Sequence, residues 1–234
     1  MRDAAVIFDV DGVLLDLTPP EEEAFFHPFL QLHGLSDLSR DWDNYRIRND
    51  HDIMAEVLER HFGRPPTADE LDRLTRSYLS HLESGLSGGQ LTVVEIPGAR
   101  SLLSSLRADG VTIGIATANL VDAARLRLQS AGFWDFVAEL PFGADGGGAK
   151  AEILSRAIAA SGLAKHRIVY LGDNLNDVEA GLRNNVHFIG FAREQHRREK
   201  LAQAGAATVC GDHDTSYQLI SSMLGRTKLK SGTR

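Results

Sequence analysis

The apolar positions of this chain fall into short solid blocks separated by longer stretches of helical period. AAVIF (residues 4–8) is closed on both sides by polar residues and is too short for a helix, which predicts a strand buried on both faces. VTIGIAT (111–117), RIVYLGD (167–173) and VHFIGF (186–191) repeat that pattern, and ATVC (207–210) is a weak fifth block. Between the blocks the period changes. Residues 98–110 place Leu102, Leu103 and Leu106 on one face and stop at Gly110. Residues 123–132 stop at Gly132, residues 150–162 stop at Gly162, and residues 176–185 end on paired asparagines. Strands alternating with helices predict an α/β fold with a Rossmann-like parallel sheet covered on both faces.

Residues 17–95 follow another pattern. EEEAFFHPFLQLHG, DIMAEVLERHFG and ADELDRLTRSYLSHLESG are three helix-like segments with no strand pattern between them. The simplest organisation is an α-helical cap inserted after the first strand. Residues 1–16 and 96–226 then form the core domain, residues 17–95 the cap, and 227–234 a loose polar tail. Gly85, Gly88 and Gly89, followed by Pro97, suggest a flexible return from the cap.

Charge and composition narrow the function. Of 234 residues 43% are hydrophobic and 24% charged, a globular balance; the formal net charge of −7 speaks against a general nucleic-acid partner, which needs a basic surface. The single cysteine, Cys210, excludes an intrachain disulfide and is expected as a small buried residue in a reducing compartment. The N-terminal residues lack the uninterrupted apolar stretch of a signal peptide, and no run approaches the ~18 apolar residues of a membrane span. The expectation is a cytoplasmic protein with no membrane partner.

The candidate chemistry lies where the strand blocks end. The first runs into Asp9-Val10-Asp11-Gly12. Ligands of an open parallel sheet bind beyond the carboxyl ends of its strands, and Gly12 lets the backbone turn so that both acids face one pocket. Two such acids suit cation binding, nucleophilic attack or proton transfer; they also suit an ordinary solvated loop. The second block ends in Thr117-Ala118-Asn119, whose hydroxyl, N–H and amide can hold an anionic oxygen or simply cap a helix. GADGGGAK leads to Lys150 at a helix start, a point charge for a phosphate or a surface lysine; its spacing is not that of a P-loop. The third block ends in Gly172-Asp173-Asn174-Leu175-Asn176-Asp177, a second acidic cluster that suggests Mg²⁺, or an N-cap with a first-turn acid. Each cluster has an ordinary alternative, but three of the four fall at the carboxyl ends of different expected strands, with Lys150 at a helix start between the last two.

At FDVDGVLLD (8–16), IATAN (115–119), Lys150 and GDNLND (172–177), the chain resembles the haloacid dehalogenase-like (HAD) hydrolase superfamily. The helical insert resembles the cap of its phosphoglycolate phosphatase and beta-phosphoglucomutase-like branch. The resemblance implies that Asp9 attacks phosphorus and that Asp11 is the acid/base. It implies phosphoryl binding by Thr117, Ala118, Asn119 and Lys150. Mg²⁺ would be held by the carboxylate of Asp9, the backbone carbonyl of Asp11 and the carboxylate of Asp173, with Asn174 and Asp177 orienting that shell. The partner would be a small phosphorylated metabolite.

Departures within the family refine this. The dehalogenases and phosphonate-cleaving members lack an acid at the position of Asp11, and no lysine occurs before Arg100 to form an imine. Many mutases carry a histidine where this chain has Glu21, which favours hydrolysis over a phosphomutase reaction. IRNDHDI (47–53) resembles the cap segment GRTDxxI of related phosphatases. It makes Arg48 and Asp50 candidate specificity residues, unless Asn49 or Asp50 is simply a helix N-cap. The cap histidines His27, His33, His51, His61 and His81 follow no metal-binding spacing, and QHRREK (195–200) reads as a solvated helix face. The sequence therefore leads to an expected Mg²⁺-dependent phosphatase. A sugar phosphomutase, or a non-catalytic binding protein on the same fold, is the alternative.

Overall fold

A computed structural model describes residues 3–18 and 22–225; Glu21 and the tail 227–234 lie outside the described residues. Strand β1 (Ala5–Phe8) is wholly buried, as its solid apolar run requires. It leads into the antiparallel pair β2 (Leu15–Thr18) and β3 (Thr92–Glu95), and between these two strands lie α1 (Glu22–His33), α2 (Asp50–Phe62) and α3 (Ala68–Ser87). The chain continues through α4 (Ala99–Ala108), β4 (Thr112–Ala116), α5 (Val121–Ser130), the single turn α6 (Trp134–Val137) and β5 (Pro141–Phe142). It then runs through α7 (Lys150–Ser161), β6 (Ile168–Gly172), α8 (Leu175–Asn184), β7 (His187–Phe191), α9 (Gln195–Gln203), β8 (Val209–Cys210) and α10 (His213–Met223).

Strands β5-β4-β1-β6-β7-β8, in that spatial order, form one parallel sheet. The period-2 alternation of β1 divides its side chains between two apolar layers. Val6 and Phe8 pack with Leu102, Leu103 and Leu106 of α4 and Ile220 of α10. Ala5 and Ile7 pack on the opposite face with Ile153 and Leu154 of α7 and Val178 of α8. A third layer joins Phe25, Phe26 and Phe29 of α1 to Ile53, Val57, Leu74 and Tyr78 of α2 and α3; Leu120, just before α5, and Ala123 of α5 also enter it.

All five expected strands and all seven expected helical segments are present. The β2–β3 pair and β5 escaped the sequence pattern for physical reasons. Only Leu15 of β2 is buried, β3 is mostly exposed, and two residues of β5 are too few to show a period. Among the described residues no helix is long and apolar enough to cross a membrane. Cys210 is buried and unpaired, as a lone cysteine was expected to be.

His213 ties α10 to the loop after β1. It is 2% exposed, its Nε2–H donates to the Val13 carbonyl at 2.8 Å, and its ring stacks on Phe191. Burial holds the imidazole below its ordinary value, against the opposing pull of the Val13 carbonyl and of Asp212 and Asp214. The unfolded chain therefore takes up this proton first. Stability from this residue is complete above about pH 6.5 and falls as pH drops below that toward the folded value, by at most ~1.4 kcal/mol per pH unit. His213→Gln keeps a donor and cannot titrate, so its urea midpoint should fall less than the wild type's between about pH 7 and 5. An identical slope in both proteins would contradict this.

Candidate active site

Three adjacent strands of the sheet deliver the expected groups to one place. Asp9 follows β1, Thr117 follows β4 and Asp173 follows β6, and β4 and β6 are the two neighbours of β1. The Asp9 N–H donates to the Leu171 carbonyl at 2.8 Å, which extends the β1–β6 ladder to the site itself. Lys150, the first residue of α7, reaches the same point. Its Nζ lies 2.7 Å from Asp9 Oδ1 and 3.1 Å from Asp177 Oδ1. Asp9 is 8% exposed and Lys150 6%, so neither is a solvated loop acid or a surface lysine.

Two glycines are required by close approach. Gly12 has φ +71°, and a Cβ there would sit 2.4 Å from Asp173 Oδ2. A Cβ on Gly172 would sit 2.3 Å from the Asp177 Cβ. The two acidic loops are therefore packed against each other and onto the base of α8. Asn174 is the N-cap of α8 and accepts from the Leu175 N–H at 2.8 Å. Asp177 Oδ2 accepts from the N–H groups of Asp173 (3.2 Å) and Asn174 (3.0 Å), while the Tyr170 hydroxyl donates to its Oδ1 at 2.5 Å. With three donors and Lys150 on it, Asp177 is fully engaged and has no exposed surface.

The electrostatics follow from crowding. Carboxylate oxygens of Asp9, Asp173 and Asp177 lie within 4.8 Å of one another. Burial pushes the Asp9 carboxyl well above its ordinary range; Lys150 opposes this, and Asp177 and Asp173 add to it. Burial pushes Asp173 up to about 6, helped by Asp177 and resisted by Arg197, whose Nη2 donates to Asp173 Oδ2 at 2.6 Å. Burial alone would lower Lys150, but the Asp177 and Asp9 carboxylates more than reverse it and hold the ammonium charged. Fully ionised, the three carboxyl groups outnumber the two cationic side chains that face them, so their charged form leaves an excess negative charge in a buried place. A hard divalent cation with oxygen ligands satisfies that imbalance, so the residues present fit Mg²⁺.

Thr117 is wholly buried, and its Oγ1 accepts from the N–H (3.2 Å) and Nδ2 (2.9 Å) of Asn119. Both lone pairs are engaged, which leaves the hydroxyl proton to donate elsewhere. Leu120, not Thr117 or Asn119, is the N-cap of α5, so these side chains are not spent on a helix end. Asp11 accepts from Asn119 Nδ2 at 2.6 Å and from Arg127 Nη1 at 2.9 Å.

A cavity of about 580 Å³ opens in front of these groups. Asp9, Asp11, Thr117, Ala118, Asn119, Lys150, Asp173 and Asn174 border it from the core, and Trp42, Arg48, Asn49, Asp50 and Ile53 from the helical insert. The start of α2 is seated on the core by main-chain contacts. The Asp50 N–H donates to the Ala118 carbonyl (3.0 Å) and Asp50 Oδ2 accepts from the Leu120 N–H (2.9 Å). The Gly148 N–H donates to Asp52 Oδ2 (2.8 Å) and the Gly148 carbonyl accepts from Asn49 Nδ2 (2.8 Å). Asn49 is the N-cap of α2, whereas Arg48 lines the cavity and pairs with Asp43 at 2.7 Å.

Sequence reasoning passed over Arg127 and Tyr170, and it placed Arg197 on a solvated helix face, whereas Arg197 reaches Asp173. Arg127 did leave a signal: it lies three residues after Ala124 and four after Ala123, on the buried face of α5. Arg197 left none, since QHRREK is polar on all sides.

A family model described as haloacid dehalogenase-like hydrolase matches residues 4–185. The chain belongs to that family. It is 27% identical over 189 residues to N-acetylmuramic acid 6-phosphate phosphatase of Pseudomonas aeruginosa, covering 77% of this chain and 78% of that protein. It is 23% identical to phosphoglycolate phosphatase of Cereibacter sphaeroides, over 94% and 98% of the two chains. Among solved structures, CbbY from Rhodobacter sphaeroides in complex with phosphate aligns with a TM-score of 0.70 at 22% identity, over 91% of this HAD chain and 95% of that one. That likeness supports the fold.

Proposed function

We propose that this HAD hydrolase is a Mg²⁺-dependent phosphatase of small phosphomonoesters that works through an aspartyl-phosphate on Asp9. Hydrolysis of phosphoric monoesters as the reaction class follows from the family and its phosphatase relatives; the route and the metal are the proposal. The observation that carries it is the Asp9–Lys150–Asp177 contact at the carboxyl ends of β1 and β6, beside Asp173.

In this reading Asp9 attacks phosphorus, and its P–O bond forms as the ester oxygen leaves with a proton from Asp11. Water then gives its proton to Asp11 and attacks the phosphorus of the acyl phosphate, which releases inorganic phosphate and restores Asp9. Lys150, the Thr117 hydroxyl and the main chain at Ala118 and Asn119 hold the phosphoryl oxygens. The carboxylates of Asp9 and Asp173 and the carbonyl of Asp11 would hold Mg²⁺, with Asn174 and Asp177 orienting them. The bound ion supplies positive charge that lets one anion approach another. Residues 17–95 act as the cap, with Arg48 facing the part of the substrate that is not transferred and Asp50 fastening the cap to the loop after β4.

A panel of small phosphate esters tests this. Phosphate release should require Mg²⁺, disappear with EDTA and return when Mg²⁺ is restored. A panel turned over by none of its members in Mg²⁺ would support the binding-protein alternative. An isomerised phosphoester in place of free phosphate would support the mutase.

A further inference from the structure

We propose that Arg127 is a positioning residue that holds the Asp11 carboxylate at the cavity wall; the inference rests on the reading of Asp11 as the acid/base. Arg127 has no exposed surface, although it is a permanently charged side chain in the middle of α5. A guanidinium so placed is costly unless acceptors face it. Its Nε donates to the Ala123 carbonyl at 3.4 Å and its Nη1 to Asp11 Oδ1 at 2.9 Å. The other Asp11 oxygen accepts from Asn119 Nδ2 at 2.6 Å. Each carboxylate oxygen is thus engaged by a donor from α5 or from the loop that precedes it.

The cavity wall contains Asp11 and Asn119, while Arg127 stands behind them. Arg127 therefore reaches a substrate only through Asp11. The neighbouring buried positions Ala123, Ala124 and Leu128 are apolar and fill the space beside α5. An arginine on that face brings a fixed planar donor to an otherwise apolar position, which is what aiming a carboxylate requires. The Asp11 side chain is 40% exposed, so without such a hold it would be free to turn between rotamers. In the proposed reaction the same carboxylate must meet the leaving oxygen in one step and water in the next. A hold that fixes its orientation acts on both steps.

The test is a double-mutant cycle in the full chain with Mg²⁺ and one ester from the active panel. Arg127→Met should lower kcat about 10- to 100-fold with KM changed less than about 3-fold, because the residue contacts no substrate. Arg127→Lys should recover part of that loss. In an Asp11→Asn background Arg127→Met should cause no further fall in kcat, since the group it positions is gone. The same fall in both backgrounds, or a fall that tracks the loss of thermal stability alone, would overturn the proposal. If Arg127→Met does not fold, the cycle is run with Arg127→Lys, with about a 3- to 10-fold effect expected in the wild-type background only. Near-native kcat in Asp11→Asn itself would instead overturn the acid/base reading. Normal kcat in Arg127→Met beside an impaired Asp11→Asn would overturn the positioning role alone.

Discussion

Asp9→Asn should abolish phosphate release, by about 10⁴-fold or more, while the chain remains folded. An amide oxygen is too weak a nucleophile to attack phosphorus, yet asparagine matches aspartate in shape. The Val10 N–H, which donates to Asp9 Oδ1 at 2.8 Å, can still find an acceptor, and Lys150 keeps Asp177 at 3.1 Å. The substitution also removes one charge from a set in which three carboxylates face two cations. In metal-free buffer the variant should therefore melt at the wild-type temperature or above it. Added Mg²⁺ should raise its melting temperature less than the wild type's, because one carboxylate ligand is lost. Near-native kcat in a correctly folded Asp9→Asn would end the aspartyl-phosphate reading.

The core was legible because burial on both faces of a sheet writes solid apolar runs. β1, β4, β6 and β7 were each visible as such a run, and their order along the chain, with helices between, implied a parallel sheet. The candidate site was legible as a place because strand ends in such a sheet are where polar residues collect: Asp9, Thr117 and Asp173 each follow a strand directly. Lys150 was harder to read. Nothing in GADGGGAK says that the ammonium is buried, and only its contacts with Asp9 and Asp177 decide it.

What sequence could not supply is partnership across long separations. Arg127 and Asp11 are 116 residues apart, and Arg197 and Asp173 are 24 apart on different elements. Asp50 illustrates the same limit in the cap. Its place at the start of α2 suggested either a helix N-cap or a specificity residue. Asp50 borders the cavity, its carboxylate meets the main chain at Leu120 beside α5, and the N-cap is Asn49. Local pattern reports which face a residue occupies; it does not report what stands opposite.

Lys150→Met isolates the electrostatic core of the site. The ammonium lies between Asp9 and Asp177 and is 6% exposed, so its removal leaves two buried carboxylates with one fewer cation. Breaking a buried ion pair from one side costs about 3–5 kcal/mol, far above the lost packing of a lysine stem that methionine largely replaces. The urea midpoint of metal-free Lys150→Met should fall accordingly, and kcat should drop about 10²- to 10³-fold because a fixed positive charge no longer meets the phosphoryl oxygens. Adding Asp177→Asn should restore part of the stability, by about 1–3 kcal/mol, since the second substitution removes the charge that the first left unbalanced. It should not restore kcat, because the charge that faces the phosphoryl group is still missing. These two readouts separate the ammonium's place as the counter-ion of the acidic cluster from its proposed role as a ligand of the substrate. If Lys150→Met matched the wild-type midpoint to within about 1 kcal/mol, the ammonium would not be what balances Asp9 and Asp177.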